Sequence, residues 1–508
     1  MHVTSTTMRL PSGGRGQLDR DPGDAVGPPA LVETHTSVVV FLGDRAYKVK
    51  KAVDLGFLDF STREARLAAC QAEIELNRRL APDVYLGVAD VTGPDGQLCD
   101  HMVVMRRMPE NRRLSTMVAS GDDVSEALRA LARQLAAFHS RCETSPEIAE
   151  AGSPATIRGL WDEGLAGLAP FRGTVLDAHS VDEIGRLARQ YLAGREPLLA
   201  RRQHDGRVRD GHGDLLAGDI FCLDDGPRVL DCLEFDRRLR IGDVLADVAF
   251  LAMDLQRLGA PELATTFLAW YGEFSAETHP VSLAELYIAY RAFVRCKVAC
   301  LRHAQGDREA ANEARALAHL TLEHLRRGRV HLVLVGGLPA SGKSTLASRL
   351  VDDTDGSVLL RSDVVRKELA GIPADQSAAA PVGAGIYTRA HTEATYDLLL
   401  TRARSALEHG ETVVLDASWS SAADRARAAR LAEETSADLI ELRCEVSAEV
   451  AATRIARRRC TGGDASDATA DVLTAMTAGA DPWPGAIMIH TAVPLTESLR
   501  AARSALLR

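Results

Sequence analysis

The sequence predicts two folds in tandem: an α+β domain over residues 31–326 and an α/β domain with a doubly wound parallel sheet over 329–508. Three observations carry this. After residue 330, apolar strand segments alternate with helical stretches, which is the pattern of a parallel sheet with crossover helices. Before it, a hairpin of β-branched residues is followed by long Ala/Leu-rich helical stretches, interrupted around 208–235. Between the two rhythms lies a short basic link, Arg326-Arg327-Gly328-Arg329.

At 508 residues the chain exceeds what one hydrophobic core organises, so two domains are expected. Hydrophobic residues at 46% and charged residues at 26% are ordinary for a soluble globular protein. Residues 1–30 hold Gly, Pro, Asp and Arg but no apolar segment of a signal peptide, and read as a disordered leader. No window approaches eighteen uninterrupted apolar residues, so no membrane span is expected. Nine scattered cysteines without a CxxC pair point to reduced thiols, and together these features place the protein in the cytoplasm. A net charge of −10 argues against binding nucleic acid by bulk attraction, and acids slightly outnumber bases beyond residue 329 as well. A basic groove in that second half stays open.

Element by element, Ser37–Leu42 reads as a strand, Gly43-Asp44-Arg45 as a turn and Ala46–Lys50 as a second strand. A helix follows from Ser61 with apolar positions at Leu67, Ile74 and Leu80. Val103–Met105 is a short strand, and 124–140 and most of 159–203 are helical. Arg228–Cys232 is a strand closed by Asp231, and 242–326 returns to helix. In the second half Val330–Val335 and Thr412–Asp416 are strands and Ser344–Val351 is a helix.

The strongest chemical signal is Gly337-Leu338-Pro339-Ala340-Ser341-Gly342-Lys343-Ser344, with Thr345 following, between a strand and a helix. Its glycines let the backbone wrap closely so that successive N–H groups face phosphate oxygens, and the helix that begins there adds its positive end. Lys343 is expected to neutralise the β/γ-phosphates of ATP, and Ser344 to ligate Mg²⁺. About twenty residues on, Asp363 and Arg366 stand one helical turn apart: a carboxylate to orient or deprotonate a hydroxyl, a guanidinium to hold an anion. Asp416 ends an apolar strand, where it would support the metal or its waters. Arg454, Arg457, Arg458 and Arg459 share a helical stretch that closes over phosphates or is simply a solvated charged face.

In this order and spacing, residues 330–500 resemble the small P-loop kinases related to gluconate kinase, zeta toxin and the 5′-hydroxyl polynucleotide kinases. That resemblance implies a D-x-x-R pair, Asp363 and Arg366, as acceptor base and substrate arginine. It implies lid arginines at Arg454 and Arg458.

In the first half, Lys48 lies on a strand and Glu73 on the following helix, with Glu75 competing for the same part. His212-Gly213-Asp214 follows, then Asp219 and Asp231. Strand lysine, helix glutamate, loop aspartate and metal aspartate is the kinase-type order, in which Lys holds α/β-phosphates and Glu holds Lys. Asp214 would accept the proton of the acceptor, and Asp231 would hold Mg²⁺. With His212-Gly213-Asp214-Leu215 as the clearest match, residues 31–326 resemble the aminoglycoside phosphotransferase-like kinases, which implies a protein-kinase-like fold. Gly242-Asp243 and Asp247-Val248-Ala249 fit the helix that follows the metal aspartate there.

Three departures stand out. Asp219 occupies the place of the usual asparagine metal ligand, Leu216 that of a frequent histidine, and the first hairpin lacks a glycine-rich loop. The whole chain resembles bacterial two-domain proteins that fuse such a domain to a P-loop kinase. The resemblance implies ATP and Mg²⁺ as cofactors and phosphoryl transfer as the reaction but does not name the acceptor, expected to be a small-molecule hydroxyl of unknown identity. The alternative is a nucleotide- or partner-binding first half that regulates the second.

Overall fold

A Thr62 side chain caps the first helix by accepting the Ala65 N–H at 3.1 Å, and that helix, Arg63–Asn77, lies against an antiparallel sheet. The computed structural model describes residues 30–34, 36–54, 58–352, 356–378, 380, 383–461 and 470–506. The leader expected at 1–30 lies outside the described residues except for Ala30, and so do the side chains of Arg458 and Arg459. The strands are β1 (Ala30–Glu33), β2 (Ser37–Leu42), β3 (Arg45–Lys50), β4 (Tyr85–Thr92) and β5 (Leu98–Arg106), ordered β1-β2-β3-β5-β4. Alternate residues of β3 and β5 turn Ala46, Val103 and Met105 inward onto Cys70 and Ile74 of the helix. Leu80 is buried as its apolar position predicts, although the helix has ended at Asn77.

Two small hairpin-like pairs follow in the same unit. β6 (Val208–Asp210), β7 (Ile220–Leu223), β8 (Gly226–Val229) and β9 (Ile241–Asp243) pair β6 with β9 and β7 with β8. The strand expected at Arg228–Cys232 thus ends earlier, at Val229. Asp231 does not close a strand: it has φ +63°, in the left-handed region, which no ladder accommodates. Helix Val244–Arg257, capped by Asp243, is buried from Val244 through Leu255 and packs against β9 and the turn 217–219.

The second sheet is wholly parallel. Its strands β10 (His331–Gly336), β11 (Ser357–Arg361), β12 (Thr412–Asp416), β13 (Asp438–Glu445) and β14 (Ile487–His490) run in the order β11-β12-β10-β13-β14. This is the expected α/β doubly wound arrangement, with β10 fully buried because helices cover both faces. The order reverses at β10, the position at which open α/β sheets place ligands outside the carboxyl end of a strand, and the loop 337–342 leaves β10 there.

The compact units differ from the boundary expected at 326–329. One comprises the chain to Ser153 with Arg202–Thr278, and the other Pro154–Arg201 with His279 onward. The helices Pro154–Leu168, Ala178–Gly194, Val281–Ala304 and Ala310–Arg327 therefore group with the parallel sheet, and meet it where its strands begin. Ser282 Oγ donates to the carbonyl of Gly410 at 2.7 Å, two residues before β12. Gln190 Nε2 donates to Asp438 Oδ1 at 3.0 Å at the start of β13, and Arg195 donates to the Thr435 carbonyl just before it. A Cβ on Gly194 would lie 2.1 Å from that Thr435 oxygen, so the helix end has no room for a side chain there.

Candidate functional site

Each unit carries its own constellation. In the first, β3 places Lys48 and Lys50 two residues apart, hence on one face of the strand. Lys48 Nζ lies 2.9 Å from Glu73 Oε1 and 2.6 Å from Asp231 Oδ1. Burial works against the Lys48 charge, but Asp231 and Glu73 overcome it and hold the ammonium well above its usual value. Glu73 is the fully buried residue of the two helix candidates, and Glu75 is exposed.

The loop that carries Asp214 is anchored from below. Gly213 has φ +88°, and a Cβ there would come within 3.0 Å of Arg240 Cα, so glycine alone lets the chain turn at this point. The N–H groups of His212 and Gly213 donate to Asp247 Oδ2 and Oδ1, both at 2.8 Å. His139 Nε2 lies 3.1 Å from Asp247 Oδ2, and its Nδ1 is 2.8 Å from the Tyr271 hydroxyl. Burial lowers His212 to about 4, so the ring is neutral. Its Nε2 donates to the Leu230 carbonyl at 3.1 Å and its Nδ1 accepts the Asp214 N–H at 3.4 Å.

Asp219 and Asp231 flank the β7–β8 pair, joined by the Leu230 N–H donating to the Asp219 carbonyl at 2.9 Å. Burial, then the charges of Asp231 and Asp214, push the Asp219 carboxyl well above its usual range. Lys48 chiefly holds Asp231 below its own. Lys48, Glu73, Asp214, Asp219 and Asp231, which lie far apart in sequence, are thus brought to one place.

In the second unit the loop after β10 is tied to the stretch following β12 by the Gly337 N–H donating to the Ser418 carbonyl at 3.2 Å. Gly337 has φ +143°, and a Cβ on it would sit 2.6 Å from both the Cys444 carbonyl and Ser341 Oγ. Ala340 at φ +60° is a non-glycine residue in the left-handed region, and its persistence marks a loop held against strain. Left-handed residues separated by ordinary ones form the concavities in which backbone N–H groups hold anions. Helix Lys343–Asp352 begins at the loop's end.

Asp416 ends β12, 4% exposed; its Oδ2 accepts from Arg361 Nε at 3.2 Å, while its Oδ1 has no hydrogen-bond partner. A buried carboxylate oxygen left unpaired is costly unless a ligand or cation satisfies it. Burial raises the Asp363 carboxyl above its usual range, with Lys343 opposing and Asp416 adding to the rise. Asp363 and Arg366 share helix Ser362–Leu369, as their spacing predicts. Arg366 is 8% exposed, donates to the Ile386 carbonyl at 3.0 Å and to Thr392 Oγ1 at 2.9 Å, and stacks over Tyr387 at 5.2 Å.

Arg454 lies on helix Ala448–Thr461 but braces the phosphate loop rather than reaching over it. Its guanidinium donates to the Ala340 carbonyl at 3.2 Å and to the Thr491 carbonyl at 2.6 Å. The Arg458 side chain, its expected companion, lies outside the described residues.

Several residues of these sites carry no motif. Thr491 fastens the loop, its hydroxyl donating to the Ser341 carbonyl from a stretch after β14. Lys50, Asn77, Tyr85, His139 and Glu234 surround the first site. Asn77 Oδ1 accepts the Cys232 N–H at 2.8 Å, and the Tyr85 hydroxyl accepts the Asp231 N–H at 3.1 Å. The one available signal was the i, i+2 repeat of lysine on β3.

A model of the phosphotransferase enzyme family matches residues 42–286, and a model described as an AAA domain matches residues 332–483. Uncharacterized protein Rv2004c of Mycobacterium tuberculosis is 42% identical over 470 residues, covering 92% of this chain and 94% of that one. Among solved structures, a choline/ethanolamine kinase family protein from Mesorhizobium loti is 15% identical. It covers 59% of this chain and 92% of its own, with a TM-score of 0.39. A gluconokinase from Sinorhizobium meliloti 1021 is 20% identical over 35% of this chain and 91% of its own, with a TM-score of 0.24.

Proposed function

Because the chain belongs to the family of its mycobacterial relatives, which joins an aminoglycoside phosphotransferase-like domain to a P-loop kinase domain, we propose that it is an ATP-dependent phosphotransferase with two kinase-type sites. Each site transfers the γ-phosphate of ATP to a hydroxyl of a small molecule. The observation that carries this is the glycine-lined loop 337–342 opening onto a helix N-terminus, in the unit where Asp416 Oδ1 is buried without a partner. A cradle closed to any Cβ, an orphaned acceptor and a lysine at the helix start suit a magnesium nucleotide.

In the second unit, the loop from Gly337 through Gly342 and Lys343 hold the β/γ-phosphates, and Thr345 lies in the helix's first turn beside them. Asp363 takes the proton of the acceptor hydroxyl; its raised, buried carboxyl is a better base than an exposed one. Arg366 steadies the acceptor, and Arg454 keeps the loop in shape. In the first unit Lys48 holds the α/β-phosphates, Glu73 orients Lys48, and Asp214 receives the acceptor proton. Magnesium, held by Ser344 and Asp416 in one site and by Asp219 and Asp231 in the other, would supply charge neutralisation of the phosphate oxygens. No observation favours a purely regulatory first half.

The experiment uses the full chain with Lys343→Ala to silence the second site, and follows Mg-ATP binding together with ADP release. Asp231→Ala should weaken binding, whereas Asp214→Ala should keep it and stop turnover. Binding that is indifferent to Asp231 would remove the first site from the proposal.

A further inference from the structure

Glu73 faces two lysines, Lys48 through a hydrogen bond and Lys50 as an ion pair without hydrogen-bond geometry. Lys48 Nζ approaches Oε1 at 2.9 Å, and Lys50 Nζ approaches Oε2 at 2.6 Å. Lys50 is itself closed off: it is 3% exposed, pairs on its other side with Glu234, and lies 5.5 Å from the centre of the Phe60 ring. Charges therefore alternate along a buried row, Lys48, Glu73, Lys50, Glu234, drawn from β3, from helix Arg63–Asn77 and from the stretch after Asp231.

We infer that Lys50 and Glu234 are positioning residues for nucleotide binding at the first site, acting through Glu73 on Lys48. The physical reason is compensation. Glu73 has 0% exposure, and a buried carboxylate that loses its partner is strongly destabilised. A lysine that serves both a glutamate and nucleotide phosphates must divide its ammonium between them. With Lys50 on its second oxygen, Glu73 stays neutralised while Lys48 turns toward phosphate, so the helix does not shift and binding costs less. Glu234 in turn neutralises Lys50, which would otherwise be a second cation repelling Lys48. The pair is thus set in place before nucleotide arrives. This rests on the reading of the first site proposed above, and adds to it two residues that do not touch ATP.

The test is Mg-ATP affinity and melting temperature in the full chain carrying Lys343→Ala, so that only the first site binds. Lys50→Met should lower the melting temperature and weaken Mg-ATP by about tenfold or more, because it strands Glu234 and leaves Glu73 with one lysine. Lys50→Met with Glu234→Leu removes both charges together. The melting temperature should then recover in large part, since Glu234 is no longer stranded, while affinity stays weak because Glu73 still has one lysine, and Lys50→Arg should keep both. This double variant also decides the matter if the single one does not fold. Affinity that recovers along with stability would show the row to be structural only, and would overturn the inference while leaving the site intact. Should Lys48→Met leave Mg-ATP binding unchanged, the reading of the site itself fails, and the inference with it.

Discussion

Asp247 offers the sharpest check on how the first site is built, because its bonds to the loop that carries Asp214 are buried. Its carboxylate accepts the N–H groups of His212 and Gly213, both at 2.8 Å, and lies 3.1 Å from His139 Nε2. Asp247→Ala strands two backbone donors and an imidazole nitrogen in a buried region. At ~1–3 kcal/mol for each orphaned donor, partly offset by relaxation, the loss is about 3–6 kcal/mol. That is a large share of the ~5–15 kcal/mol by which a domain is stable. Asp247→Asn keeps one carbonyl acceptor and should cost about half as much.

Hydrogen exchange over residues 208–220 reads the effect where it arises, since protection there reports the opening of this loop. The variant should lose protection over that stretch before elsewhere in its unit, and ADP release from the first site should fall with it because Asp214 shares the loop. Protection unchanged to within ~1 kcal/mol in Asp247→Ala would refute the claim that this carboxylate anchors the loop.

Three further outcomes are expected. In a chain whose first site is silenced by Asp214→Asn, Lys343→Ala should remove nearly all remaining ATP turnover, because a single cation faces the phosphates where transition-state charge gathers; retention of most of the rate would sink the phosphate-loop assignment. Asp363→Asn should lower kcat with little change in ATP affinity. Because burial raises this carboxyl and only its ionised form accepts a proton, the wild-type rate should climb with pH through a window above the ordinary carboxylate range, and the variant should lack that limb; a limb that persists assigns the base elsewhere. A fragment beginning at residue 329 lacks the helices that meet the starts of β12 and β13, so it should melt well below the full chain or aggregate; a fragment melting within a few degrees of the full chain would refute the role given to those helices.

Where sequence and structure agree, the cause is local. Ser37–Leu42 and Thr412–Asp416 form strands with the bounds their β-branched runs predict. Asp363 and Arg366 share a helix because three residues make nearly one turn. The phosphate loop was legible because its left-handed positions demand small residues in a fixed spacing. Strands β1, β4, β6, β7, β9, β11, β13 and β14 were not singled out. Several are short, whereas β13 alternates polar and apolar residues from Ile440 and so carried a strand signal. Arg228–Cys232 is β-rich and reads as a strand closed by Asp231, but the turn that aims its carboxylate at Lys48 depends on Tyr85 and Asn77, more than a hundred residues earlier.

Tertiary pairing also explains why the compact units do not follow chain order. A helix declares its apolar stripe but not the surface that covers it. Ala178–Gly194 and Val281–Ala304 read as ordinary continuations of the first half, and chain order assigns them there. What ties them to the parallel sheet is a set of polar contacts and close approaches at strand starts, Gln190 to Asp438, Ser282 to Gly410 and Gly194 against Thr435, each spanning more than a hundred residues. None has a local signature, since a glycine that accommodates a distant carbonyl looks like any helix-ending glycine. The consequence is physical: the phosphate loop hangs from the carboxyl end of a sheet whose other end is fastened to helices from two earlier parts of the chain. Strain held at Ala340 is sustained only while that sheet keeps its register, so a cavity made among those helices should weaken nucleotide binding although no residue there reaches the loop.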